Sequence, residues 1–147
     1  MREAMAKGLH CPRVCVGDGA TAEAGAARDP VTERIIGAAV EVHRILGPGL
    51  LESICEEALC HEFDLRGIAY ERQKPVDVVY KGKVIKGQRL DLLVEGAVVV
   101  ELKAVRVVDD MARAQVLSYL KATRLRVALL VNFGVKKLTD GMERFVL

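Results

Sequence analysis

The sequence predicts an α/β (α+β) domain, a mixed central sheet flanked by helices, and three observations carry that expectation. Apolar residues recur at helical spacing across residues 32–65, β-rich runs punctuated by turn signals fill residues 76–105, and a second helical stretch precedes a short apolar run at 127–133. The order α, α, β, β, β, α, β, β suits a sheet with helices packed on its faces.

Residues 1–29 read as a disordered or loosely ordered tail, because Gly17 to Asp29 is rich in Gly and Ala and offers no large apolar side chain. The domain is expected over residues 30–147, with order beginning near Pro30. Thr32 is a plausible N-cap. Ile35, Ile36, Ala39, Val42, His43 and Leu46 follow at helical spacing, and Gly47-Pro48-Gly49 ends that helix. A second helix runs from about Leu50 to Leu65, with Leu51, Ile54, Cys55, Ala58, Leu59 and Phe63 inward and Gly67 as its stop. Val76, Val78 and Tyr80 alternate with polar residues before a turn at Lys81-Gly82. Val84 to Val94 and Ala97 to Val105 form the next strands, joined at Glu95-Gly96. Asp109 or Asp110 caps a helix through about Ala122. Val127 to Phe133 is a buried strand, and residues 143–147 a short edge strand.

A chain of 147 residues with 51% hydrophobic and 29% charged side chains builds one domain with a substantial core. No apolar run approaches the ~20 residues that cross a bilayer, and the N-terminus has no apolar signal region. The expectation is a cytoplasmic protein with no membrane partner. Net charge is only +2, so local clusters matter more than the total. Lys81, Lys83, Lys86 and Arg89 share a segment free of acids, and Lys121, Arg124 and Arg126 form a second cluster. The cysteines Cys11, Cys15, Cys55 and Cys60 lack the usual paired spacing of a zinc site, and Cys55 and Cys60 fall in a helical pattern as core residues. His43, on an apolar helix face, reads as a core histidine rather than a ligand.

Chemistry concentrates in the central hairpin. Asp91 interrupts Leu90-Asp91-Leu92-Leu93-Val94, and Glu101 and Lys103 end Val98-Val99-Val100-Glu101-Leu102-Lys103. Residues two apart on a strand share a face, so Glu101 and Lys103 point together. Charges set in apolar strands are costly to bury unless paired or bound to metal. A two-residue turn would put Asp91 on the face opposite Glu101. A three-residue loop, Val94-Glu95-Gly96, is the expected one, because it wants a left-handed glycine last and Gly96 is there; it would pair Asp91 with Val99 and make it a diagonal neighbour of Glu101. Two carboxylates so placed suit Mg²⁺, with Mn²⁺ as an alternative, and the backbone carbonyl of Leu102 is a further candidate metal ligand. Lys103 could orient or help deprotonate a water, or neutralise developing charge. Read alone, Glu52 is a first-turn acid favoured by the helix dipole. Gln115 and Tyr119 form one helical stripe. Arg89, Tyr119 and Lys121 are candidate substrate contacts.

Several segments together resemble the GxxExxY protein family: Gly47-Pro-Gly-Leu-Leu-Glu-Ser-Ile-Cys-Glu-Glu-Ala-Leu59, Arg89-Leu-Asp91, Val100-Glu-Leu-Lys103, Ala114-Gln-Val-Leu-Ser-Tyr-Leu120 and Val131-Asn-Phe-Gly134. That family is grouped with the PD-(D/E)XK nuclease superfamily. The resemblance spans about residues 31–147 and implies an αβββαβ core, with Asp91, Glu101 and Lys103 as the catalytic triplet, Glu52 as an accessory acid and Gln115 as a site-facing residue. Two positions depart from the family pattern: Cys55 replaces a tyrosine, and Ala112 a histidine. The leading expectation is a Mg²⁺-dependent phosphodiester hydrolase acting on DNA or RNA. The alternatives are a non-catalytic nucleic-acid-binding or oligomeric module on a nuclease-like fold, and a hydrolase of a small phosphoester. A homodimer is the partner a domain this small would use to cover a long substrate.

Overall fold

The structure, a computed structural model, describes residues 13–16 and 29–147. Six strands form one sheet: β1 (Arg13–Val16), β2 (Tyr70–Tyr80), β3 (Lys83–Val94), β4 (Val98–Lys103), β5 (Val127–Asn132) and β6 (Met142–Val146). Three helices accompany them, α1 (Pro30–Leu46), α2 (Glu52–Arg66) and α3 (Asp110–Thr123), with a 3₁₀ turn at Leu138–Gly141. The strand order is β1-β6-β5-β4-β3-β2. β4 and β5 run parallel, as do β1 and β6, and the other neighbours are antiparallel. Among the described residues no helix is long and apolar enough to cross a membrane.

Local chemistry accounts for the helix ends. Asp29, not Thr32, caps α1: its carboxylate accepts from Val31 N–H at 3.1 Å and from the Thr32 hydroxyl at 2.7 Å, with Pro30 in the first turn. Gly67 ends α2 in the left-handed conformation (φ 67°), and the Asp109 carboxylate caps α3 through Ala112 N–H.

The core lies on both faces of the sheet. Leu92, Val94, Val98, Val100 and Leu102 pack with Ile35, Ala39, Leu59 and Phe63 of α1 and α2. Leu90, Leu93, Val99, Ala128 and Leu130 pack with Val116 and Leu120 of α3. β4 and β5 are apolar along most of their length because helices cover both faces. Each fully buried Leu or Val contributes about 1.5–3 kcal/mol. His43 is a core histidine, as expected: it is buried and its ring Nε2 meets the Val135 carbonyl at 2.7 Å. Cys55 and Cys60 are buried free thiols, and burial pushes the Cys60 thiol up to about 11.

Several details differ from expectation. Leu51 and Ile54 are exposed rather than inward, because they lie at the turn into α2 instead of facing the sheet. Residues 13–16 of the expected irregular tail form β1 against β6, so β6 is an inner strand, and Asp29 at the tail's end caps α1; residues 1–12 and 17–28 lie outside the described residues. The hairpin loop has the expected three residues but is Glu95-Gly96-Ala97, since Val94 pairs with Val98. Glu95 is drawn out of the ladder by Ala69, whose carbonyl accepts the Glu95 N–H at 2.8 Å. Glu95 and Gly96 both take left-handed φ, 53° and 64°.

One irregularity shapes everything beyond the hairpin. Leu92 packs toward α1 and α2, whereas Leu90, two residues away, packs toward α3. Side-chain alternation therefore slips at Asp91. Gln73 stands opposite, at φ 48°, and the Glu56 carboxylate holds it by accepting from its amide at 3.1 Å. Outward from this slip, β2 and β3 continue as a two-stranded ribbon, because β3 and β4 pair only at Leu92–Val94.

Candidate active site

Pairing of Leu92 with Val100 sets the register that brings Asp91 opposite Glu101. They are directly opposed rather than diagonal, and the shared face survives because both loop placements contain three residues. The ladder ends at this point. Leu102 N–H, with no β3 backbone partner, donates to Asp91 Oδ2 at 2.9 Å, so a carboxylate takes the place of the missing ladder acceptor. In a strand a residue's N–H and C=O point to the same side, so the Leu102 carbonyl also faces Asp91.

Glu101 is 3% exposed. Its Oε1 lies 3.2 Å from Lys103 Nζ, while its buried Oε2 has no hydrogen-bond partner. Burial pushes the Glu101 carboxyl up to about 7, and the negative charge of Asp91 adds to that rise. Burial would lower the Lys103 ammonium, but Glu101, Glu52 and Asp91 more than offset it and raise its pKa, so it is protonated at neutral pH. Glu52, in the first turn of α2, has its carboxyl raised by burial; Asp91 and Glu56 push the same way and Lys103 opposes. Tyr119 is buried beneath the pair. Burial, then Glu101 and Asp91, push its phenol up to about 12, and its hydroxyl accepts from Gln115 Nε2 at 2.7 Å.

Of these groups Glu52, Lys103 and Gln115 line a cleft of about 760 Å³, together with Gln88, Val105 and Met111 among others; Asp91, Glu101 and Tyr119 are not part of its lining and adjoin it through Lys103 and Gln115. The structure thus brings Asp91, Glu101, Lys103, Glu52, Gln115 and Tyr119 into one neighbourhood. Arg89 and Lys121 are exposed and do not line the cleft. The slip at Asp91 turns Gln88 into the cleft in place of Arg89. Arg113 is committed elsewhere, with guanidinium nitrogens 2.7 Å from Glu143 and 3.1 Å from Asp110.

Asn132 and Gly134, in the Val131-Asn-Phe-Gly134 segment, have a structural role that the sequence analysis did not assign. The Asn132 side chain accepts from Val105 N–H at 3.0 Å and donates to the Val105 carbonyl at 2.8 Å, fixing the loop that forms one wall of the cleft. A Cβ on Gly134 would lie 2.4 Å from the Val105 carbonyl oxygen, so only glycine fits there. A polar residue ending an apolar strand is the one hint in the sequence, and its partner lies 27 residues away.

The donor set fits a divalent ion. Two hard carboxylates face each other, one with a buried oxygen that has no partner. Among the described residues no cluster of three or more His, Cys, Asp or Glu side chains is placed to hold a metal. The protein would therefore supply Asp91, Glu101 and the Leu102 carbonyl, with water or phosphate oxygens completing the shell, as suits Mg²⁺. A family model described as the PD-(D/E)XK nuclease superfamily matches residues 29–145. No curated protein and no solved structure matches the chain.

Proposed function

The chain belongs to the PD-(D/E)XK nuclease superfamily, and from that membership we propose that it is a Mg²⁺-dependent nuclease, with Mn²⁺ able to substitute, that hydrolyses phosphodiester bonds of a nucleic acid. The observation that carries this reading is the Asp91–Glu101 pair with its partnerless buried oxygen, set beside Lys103 at the head of an open cleft.

Asp91, Glu101 and the Leu102 carbonyl would hold a divalent ion, which would supply charge stabilisation at the phosphoryl group and a more acidic water. The remaining work belongs to the chain. Lys103, kept protonated by its three acidic neighbours, orients the attacking water and neutralises charge developing on the phosphate. Gln115 orders the Tyr119 hydroxyl beneath the carboxylates. Glu52 borders the cleft across from α3 and balances Lys103. The cytoplasm is the proposed location, supported by the two buried free thiols.

Cleavage of single- and double-stranded DNA and RNA, with Mg²⁺, Mn²⁺ or chelator, tests the reading against Asp91→Ala. Metal-dependent cleavage lost in that variant supports it. Lys103→Ala should keep metal affinity by calorimetry and lose cleavage. Metal binding without cleavage of any of the four substrates favours the non-catalytic module instead.

A further inference from the structure

Beyond the slip at Asp91, the β2–β3 ribbon has no third strand, and its apolar residues are exposed: Val78, Val79, Tyr80, Val84 and Ile85. Val76 and Gln88 are partners across it; Val76 packs toward α3 and Gln88 lines the cleft. Val78 and Tyr80 follow Val76 at two-residue spacing, and their partners are Ile85 and Lys83. Gly87 (φ 120°) absorbs the register shift between Val76 and Val78. The strip from Gln88 to the Tyr80–Lys83 pair therefore continues the face that carries the cleft.

The ribbon is basic. Its acid Asp77 is taken by Lys86 at 3.1 Å, whereas Lys81, Lys83 and Arg89 have no ion-pair partner among the described residues. Lys81 sits 5.5 Å from the centre of the exposed Tyr80 ring. Five residues beyond Gln88 reach roughly 17 Å at ~3.3 Å per residue, or about five base pairs at ~3.4 Å per step.

We propose that the β2–β3 ribbon is a docking arm that lies in the major groove of duplex DNA, about five base pairs from the bond held at the cleft. Unpaired cations of one sign on a projecting ribbon call for a polyanion. A two-stranded ribbon fits the wide major groove of B-form DNA, whereas the A-form groove of duplex RNA is too narrow to admit it. A single strand would call for a row of stacking aromatics, and the arm carries one, Tyr80. The location of the cut rests on the nuclease reading; the docking does not.

The test is fluorescence anisotropy of the full chain on a 24-base-pair DNA duplex, its single strand and the matching RNA duplex, in chelator, across a salt series. The variant is Lys81→Asn with Lys83→Gln. Asparagine tolerates the left-handed φ of 45° at Lys81, so the turn is kept. Each lost phosphate contact lowers the slope of log K against log salt by about 0.9, so the slope should fall by roughly 2. Wild type should prefer the DNA duplex, and the variant should bind it about tenfold or more weakly at low salt. Unchanged affinity and slope in the variant, no binding by wild type, or preference for the single strand or RNA would overturn the arm. So would a change in mass by light scattering for Val79→Ser/Val84→Ser with DNA binding intact, which would make the ribbon an interface between copies. Arm-dependent binding without Mg²⁺-dependent cleavage would sink the catalytic reading alone; cleavage with arm-independent binding would sink the arm alone.

Discussion

The two halves of β3 share a backbone and differ in almost everything else. The leucines and valine of Leu90 to Val94 are buried beneath helices on both faces, and burial, with the charge of Asp91 added, pushes the neighbouring Glu101 carboxyl up to about 7. Lys83 to Gly87 are exposed and pair only with β2; Lys86 meets Asp77 at the surface, and Lys83 stands free in water. Burial, not strand geometry, is what perturbs a charged group here. A carboxylate among apolar neighbours cannot shed its charge penalty into solvent, so it keeps its proton longer or takes a cation. A lysine on the ribbon bears no such penalty and can act only through charge.

Breaking the inner half should have the largest effect. Glu101→Gln should lower metal-dependent cleavage on the order of a hundred- to a thousandfold, the scale of losing one preorganised charge interaction. The same variant should be no less stable than wild type in chelator, by thermal melts, because it removes repulsion with Asp91. A fall in both activity and melting temperature would show that Glu101 is structural.

The inner half should also carry a pH dependence that the outer half lacks. The folded Glu101 carboxyl titrates near 7 against an ordinary 4.5. Below the unfolded value both states hold the proton and stability is unaffected. As pH rises from about 4.5 to about 7 the unfolded chain gives up its proton first, so the metal-free fold should lose stability, at most about 3 kcal/mol at ~1.36 kcal/mol per pH unit. Urea unfolding in chelator at pH 4.5 and 8 measures this. Glu101→Gln should flatten the difference, and a wild-type slope matching the variant's would show that Glu101 titrates normally.

The cleft wall comes next. Asn132→Ala leaves both polar groups of Val105 without their partner and should cost about 1–3 kcal/mol by urea unfolding, with cleavage falling beyond what stability explains. Gly134→Ala should cost about the same through overpacking. The outer half should respond least: Val84→Thr, exposed on the ribbon, should shift stability by no more than about 0.5 kcal/mol.

Much of the candidate site's geometry was legible because strand parity is robust. Glu101 and Lys103 had to share a face, and any three-residue loop keeps Asp91 with them, so the loop's displacement by one residue did no damage. What was not legible depended on distant partners. The kink that replaces Arg89 with Gln88 is held by Glu56, on a helix separated from Gln73 by 17 positions. The hold of Asn132 on Val105 crosses 27. Thr32 looked like the cap of α1 because its hydroxyl is a good acceptor, yet Asp29 serves as the cap and Thr32 donates to it. Leu51 and Ile54 had helical spacing but fall in the opening turn of α2, away from the sheet.

The short parallel pairing of Arg13–Val16 with β6 bears on solubility. An uncovered strand offers a row of free N–H and C=O groups to any other chain, and it is a common seed for edge-to-edge aggregation. By laying an early segment over a late strand, the chain pairs that row with its own backbone and leaves the four-residue β1 as the edge instead, and a very short edge strand is a poorer template for another chain. A version trimmed past Val16 should keep its hairpin carboxylates and yet become sticky at high concentration, so that handling, rather than chemistry, would be the first property to suffer.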